Sequence, residues 1–138
     1  MKRRIVKDLA FLSQVCTKVE SKDRTQISTK LLMAMRPRIG RALAIAANQI
    51  GVQKRAFIVN EGKCFKYYIN PELIETIGDP VEHEEGCLSL PEEHHTPMRY
   101  PEIRVTDEIN GEQTLTGFMA AVWQHEVDHL NGILINGG

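Results

Sequence analysis

Thr116-Gly117-Phe118-Met119-Ala120-Ala121-Val122-Trp123-Gln124-His125-Glu126-Val127-Asp128-His129-Leu130-Asn131-Gly132 reads as one helix with both of its ends marked. Thr116 is a capping residue type, no proline interrupts the run, and Asn131-Gly132 supplies a stop. The helix is therefore expected from about Gly117 to Leu130. His125 and His129 are four residues apart, so their side chains lie about 40° apart around the axis and both reach a single ion on that face. Glu126 sits one position on, close enough to reach water at such an ion without ligating it. A metal lowers the pKa of that water and a neighbouring carboxylate takes its proton, which is why this spacing belongs to hydrolases. The bland alternative is a solvated helix face with two incidental histidines.

Two histidines leave a third ligand to be found. The nine residues after His129 contain no His, Cys, Asp or Glu, so the third ligand must lie upstream. Candidates are Cys87, Cys16, Cys64, His83, His94 and His95, besides the carboxylates. Cys87 is preferred. It stands in Glu85-Gly86-Cys87-Leu88-Ser89, where the glycine permits close backbone approach. Cys with two His leaves one tetrahedral position open, the mark of a catalytic site. Were His83, His94 or His95 to fill that position, the site would be closed and structural. Taken alone, Cys87 would read as a small buried hydrophobe. A further stretch, Ala46-Ala47-Asn48-Gln49-Ile50-Gly51, places the Gln49 amide after an apolar segment, where it could donate to an oxyanion. In isolation it is a strand-to-turn transition.

Outward from these motifs, Ile27, Leu31, Leu32 and Met35 form one helical stripe over about Thr25 to Met35, capped by Asp23 or Thr25 and ended by Pro37. Ala42 to Ala47 reads as a short buried strand. Arg55 to Asn60 and Cys64 to Ile69 read as a hairpin across Glu61-Gly62. Ile103 to Asp107 alternates, Asn110-Gly111 turns, and Gln113 to Thr116 returns. Prolines 71, 80, 91, 97 and 101 punctuate the middle, and residues 1–22 carry no clear pattern. The expected fold is α+β: a single domain over residues 1–138, with short, mostly antiparallel sheets packed around a central metal-binding helix, plus an N-terminal helix.

Composition narrows the class. The chain has 138 residues, of which 42% are hydrophobic and 25% charged, so it can bury a core without staples. Seventeen basic residues against 18 acidic ones give a net charge of −1, and no field that would gather nucleic acid or an anionic membrane. The longest apolar runs, Ala42 to Ala47 and Phe118 to Trp123, are six residues each and cannot span a bilayer. Lys7 and Asp8 interrupt any signal-peptide core, so a cytoplasmic protein is expected. Three cysteines, an odd and sparse count, argue against a disulfide framework. A monomer is expected.

Glu85 to Ser89, Gln124 to Leu130 and Ala46-Ala47-Asn48-Gln49, in chain order, resemble the three motifs of the peptide deformylase family: Glu-Gly-Cys-Leu-Ser, Gln-His-Glu-x-Asp-His-Leu, and the latter half of Gly-x-Gly-Leu-Ala-Ala-x-Gln. The resemblance covers about residues 40 to 132 and is most similar to the short bacteriophage deformylases. It implies hydrolysis of the N-formyl group from formyl-methionyl peptides, with release of formate. Cys87, His125 and His129 would hold one divalent metal, Fe2+ first, with Zn2+, Ni2+ or Co2+ also admitted by this donor set. Glu126 would be base and then acid. Gln49 and the Leu88 N–H would stabilise the oxyanion. Substrate would be bound by Leu43, Ala44, Glu85, Gly86, Ala121 and Val122, and Glu85 with Gln124 would orient the ligands. Ala121, Val122 and Phe118 share the His125 face of the helix; Phe118 and Ile45 read as core, whereas Leu43, Ala121 and Val122 read as the slot for the methionine side chain.

Three departures from the family pattern stand out. The two motif glycines fall on Ala42 and Ala44, which narrows the approach of substrate. His94 stands where the family often has arginine, with Arg99 beyond. The chain ends at Gly138, so ribosome docking through a C-terminal helix is not expected, and Ile133-Leu134-Ile135 are expected to pack back on the fold. Competing readings are another metallohydrolase of peptides or amides, a metal-stabilised binding module with a closed site, and an inactive homologue.

Overall fold

The structure is a computed structural model and describes residues 4–134, the side chains of 91–94 excepted. A short α1 (Leu9–Leu12) and α2 (Arg24–Met35) precede β1 (Ala44–Ala46), β2 (Ala56–Asn60) and β3 (Phe65–Ile69). There follow β4 (Glu72–Ile77), β5 (Val81–Glu82), β6 (Glu85–Cys87), β7 (Leu90–His95), β8 (Met98–Arg99), β9 (Glu102–Thr106) and β10 (Gln113–Thr116), then α3 (Gly117–Leu130). The named strands pair antiparallel, in the orders β1-β2-β3, β10-β9-β4, β5-β8 and β6-β7. This is the α+β arrangement expected from the sequence. No helix among the described residues is long and apolar enough to cross a membrane.

β2 shows why its run is apolar on consecutive positions. Phe57 and Val59 face one core with Trp123, Val127 and Leu130 of α3; Ala56 and Ile58 face the other, with Ile27, Leu31 and Met35 of α2. A strand covered by a helix on each side alternates between two interiors, so its sequence does not alternate in polarity. Trp123 is fully buried and lies edge-on to Phe57 and Tyr68, with ring centroids 5.6 and 5.8 Å away. These edge-to-face contacts seat α3 on the sheet.

The apolar run Ala42 to Ala47 is a strand over Ala44–Ala46 alone, and Ala47–Ile50 turns into a short 3-10 helix. The cause is Gln49, whose Oε1 accepts the Ala46 N–H at 2.9 Å and folds the chain over. Asp23 and Thr116 occupy the helix starts, but neither side chain makes a capping bond. Asp107 instead organises the β9–β10 turn, accepting from the Ile109 and Asn110 amides at 3.0 and 3.2 Å.

The C-terminal end of α3 is closed by distant segments. Cys16 N–H and Arg55 Nη1 both donate to the Leu130 carbonyl, at 2.8 and 3.0 Å, and Arg55 Nη2 donates to Asn131 Oδ1 at 3.0 Å. Gly132, at φ +76°, packs on Ser13 so closely that a Cβ would run into its carbonyl. Leu134 is buried with Leu12 and Leu90, whereas Ile133 is half-exposed; Ile135 lies outside the described residues. Gly132→Ala is expected to lower stability by about 1–3 kcal/mol, from left-handed backbone plus the clash, read as a fall in Tm. An unchanged Tm would show that the N-terminal segment moves aside at no cost.

Candidate metal centre

α3 presents His125 and His129 from one face, and β6 brings Cys87 against them. Cys87 Sγ lies 3.3 Å from His129 Nε2, and the two imidazole centroids are 5.0 Å apart. One donor atom from each of the three lies within 4.8 Å of the others. Metal–sulfur and metal–nitrogen bonds of about 2.0–2.3 Å would span these separations. Three protein donors at a tetrahedral ion would leave one coordination position for a non-protein ligand. Cys16 is buried in the core beneath β1–β3, where burial pushes its thiol up to about 11, and Cys64 is exposed on the β2–β3 turn. Neither reaches the histidines. His83 faces Glu85 instead, and the His94 side chain lies outside the described residues.

The two histidines are held from behind. Glu85 Oε1 lies 2.7 Å from His125 Nδ1, and Arg99 grips both Glu85 oxygens at 2.8 Å while also reaching Asp128 at 2.6 Å. Burial alone would raise the Glu85 carboxyl, but bonds from Arg99 and His125 outweigh it and hold the group at about 2. Glu85 therefore only accepts, so His125 Nδ1 carries the proton and its Nε2 is the nitrogen turned toward Cys87. Asn48 Nδ2 donates to the His129 carbonyl at 2.8 Å. Gln124 was expected to orient the ligands; it clasps the Tyr100 backbone instead, accepting from its N–H and donating to its carbonyl at 2.9 Å each. It thereby fixes the strand that delivers Arg99. Arg99, 6% exposed, is the functional residue that sequence reasoning missed. Its only signal was a spacing from Cys87, because a lone arginine in sequence reads as surface.

Glu126 is buried beside the triad and outside it, with Oε2 3.8 Å from His125 Nε2 and Oε1 lacking any partner. Burial is the main reason its carboxyl is pushed up to about 7. Gln49 turns Nε2 toward Cys87 Sγ at 3.6 Å and Ser89 Oγ at 3.3 Å, so its amide donor faces the triad.

A cleft of about 460 Å³ opens over these groups. Leu43, Ala44, Gly86, Leu88, Ala121 and Val122 line it with Glu126. Glu85 lines it too, but its carboxylate oxygens are engaged by Arg99, His125 and His83. Ile45 is core, as expected. Phe118 is not: it is 60% exposed and forms a cleft wall. Phe118 stands in the first turn of α3, outside the core cluster that holds Trp123. Ala42 and Ala44 also line the cleft, and neither has a positive φ, so alanine fits the backbone without strain.

The sequence profile of the polypeptide deformylase family matches residues 3–136. A peptide deformylase of Wolbachia sp. subsp. Drosophila simulans (strain wRi) is 45% identical over 109 residues, covering 67% of this chain and 61% of the relative. The chain thus spans about three fifths of that relative's length. The crystal structure of peptide deformylase from Thermotoga maritima superposes with a TM-score of 0.87 at 32% identity, covering 99% of this chain and 96% of that one. That of a probable peptide deformylase from synechococcus phage S-SSM7 gives 0.83 at 30% identity, covering 99% and 97%.

Proposed function

The chain belongs to the polypeptide deformylase family, and from that membership we propose that it removes the formyl group from N-formyl-methionyl peptides, releasing formate. The observation that carries this reading is the convergence of Cys87, His125 and His129 beside the unpartnered Glu126 Oε1. The three ligands would hold one divalent ion, Fe2+ in our reading, in the cytoplasm where nascent chains emerge. Such an ion, when bound, polarises the formyl carbonyl and makes water a nucleophile near neutral pH.

The remaining work falls to side chains and backbone. Glu126 accepts the proton of the attacking water and then returns it to the departing methionine amine. Gln49 Nε2 and the Leu88 N–H donate to the oxygen that gains charge at the formyl carbon. Leu43, Ala44, Gly86, Ala121 and Val122 take the methionine side chain and adjoining backbone in the cleft. Glu85, fixed by Arg99, keeps His125 in the tautomer that ligates.

Protein purified without oxygen and loaded with Fe2+ is expected to release formate from formyl-Met-Ala-Ser, and to lose that activity on chelation. Stoichiometric metal without formate would overturn the reading. The iron form is also expected to decay in air, because Cys87 and ferrous iron are both oxidisable.

A further inference from the structure

Six ionisable side chains line the cleft: Arg41, His83, Glu84, Glu85, His125 and Glu126. Four of them are already engaged. His83 and His125 meet the Glu85 carboxylate, which Arg99 also grips, and Glu126 stands beside the triad. Arg41 and Glu84 remain. Both are exposed, and among the described residues neither has an oppositely charged partner. They come to the cleft from different sheets, Arg41 ahead of β1 and Glu84 immediately before β6. Their surroundings in the chain differ in sign. From Arg24 to Asn60 there are seven Lys and Arg and no Asp or Glu, whereas from Glu61 to Met98 nine acidic residues stand against two lysines. Arg41 closes the basic turn Arg36-Pro37-Arg38-Ile39-Gly40-Arg41. Arg38 is near enough that burial first, and the Arg41 charge second, lower its guanidinium from the usual value. Arg41 Nη2 donates to the Pro37 carbonyl at 3.0 Å, which holds the guanidinium and leaves the other N–H groups of its fork for a ligand. Arg41 stands two residues before Leu43 and three before Ala44, so about 7–10 Å of chain separates it from the residues that border the methionine slot. Two residues of an extended peptide span about 7 Å, which brings the side chains after methionine within reach of Arg41.

We propose that Arg41 is a specificity residue that favours formyl-methionyl peptides carrying an aspartate or glutamate at one of the two positions after methionine. The proposal rests on the deformylase reading of the same site. A carboxylate accepts two parallel N–H bonds from a guanidinium, which a neutral amide of the same shape does not match. Arg41 is exposed, so the gain is that of a surface ion pair, a few-fold in size and sensitive to salt. Successive side chains of an extended peptide turn to opposite sides, so the two positions differ in their approach to Arg41. Glu84, from the other sheet, repels the same carboxylate, and its removal strengthens the preference.

The experiment measures kcat/KM of the metal-loaded enzyme for formyl-Met-Glu-Ser against formyl-Met-Gln-Ser, and for formyl-Met-Ala-Glu against formyl-Met-Ala-Gln, all amidated at the C-terminus. Amidation removes the terminal carboxylate, so each pair differs in one charge at nearly constant shape. At one position at least, glutamate is expected to be favoured by about 2- to 5-fold at low salt. The ratio is expected to fall toward parity in about 1 M salt, where the screening length is about 3 Å. Arg41→Lys is expected to keep the preference, Arg41→Gln to abolish it and Arg41→Glu to reverse it, while Glu84→Gln increases it. No preference for glutamate at either position overturns the proposal, and so does a preference that survives Arg41→Gln. Those results leave deformylation standing, whereas formate from none of the peptides overturns deformylation and the proposal together.

Discussion

Glu126→Ala is expected to slow formate release from formyl-Met-Ala-Ser by about 10²- to 10⁴-fold while the bound metal stays stoichiometric. The two halves of that expectation have separate grounds. Glu126 is not among the three converging donors, so its loss leaves the ligand set whole. It is 3% exposed and its Oε1 has no partner, so it makes no bond there whose loss would unsettle α3. Removing a buried, unpartnered carboxyl relieves its desolvation cost and leaves a small cavity, two opposed effects, so Tm should change little. What disappears is the proton carrier. Formate kinetics, metal content by emission spectroscopy and a thermal melt decide the matter together. Full activity in the variant would remove Glu126 from the mechanism, and loss of metal would make it a support for the ligands.

Trp123→Ala is expected to cost about 3–5 kcal/mol of stability, measured by urea unfolding monitored by circular dichroism. Trp123 is fully buried and stands edge-on to the stacked pair Phe57 and Tyr68, as the largest side chain joining α3 to the β1–β3 sheet. It lies two residues from His125, so loosening its seat also loosens the ligand helix. The expected result is therefore weaker metal retention along with a lower urea midpoint. A loss below about 1 kcal/mol would mean that the Glu85–Arg99–Asp128 bridge, rather than aromatic packing, holds α3 in place.

The site was more legible in the sequence than the fold around it. His125, Glu126 and His129 are encoded by spacing on one helix, and a spacing survives any tertiary context. Cys87 and Gln49 required the motifs to be read together, since each alone has a bland explanation. β2, β3, β9 and β10 announced themselves by composition and by turns at Gly62 and Gly111. β4 did not: it runs Glu72 to Ile77 with most side chains exposed, and β9 holds it by backbone pairing across a bulge. β7 was hidden by Pro91, which a two-stranded edge tolerates. Arg99 and Phe118 misled in opposite directions. The arginine is buried because two carboxylates meet it there, and the phenylalanine is exposed because it lines the open cleft and not the core. Both outcomes depend on partners about 15 to 40 residues away, which local pattern does not contain.

The closure at the far end of α3 has a consequence for motion. The last carbonyls of a helix ordinarily lack partners, and its final turn frays into solvent. Here the His129 carbonyl is taken by Asn48, the Leu130 carbonyl by Cys16 and Arg55, and the chain beyond is pressed against Ser13. The turn that carries His129 cannot unwind alone. Its amides are expected to exchange with deuterium only when the N-terminal segment and the sheet open with it, which would give His129 the protection of the core.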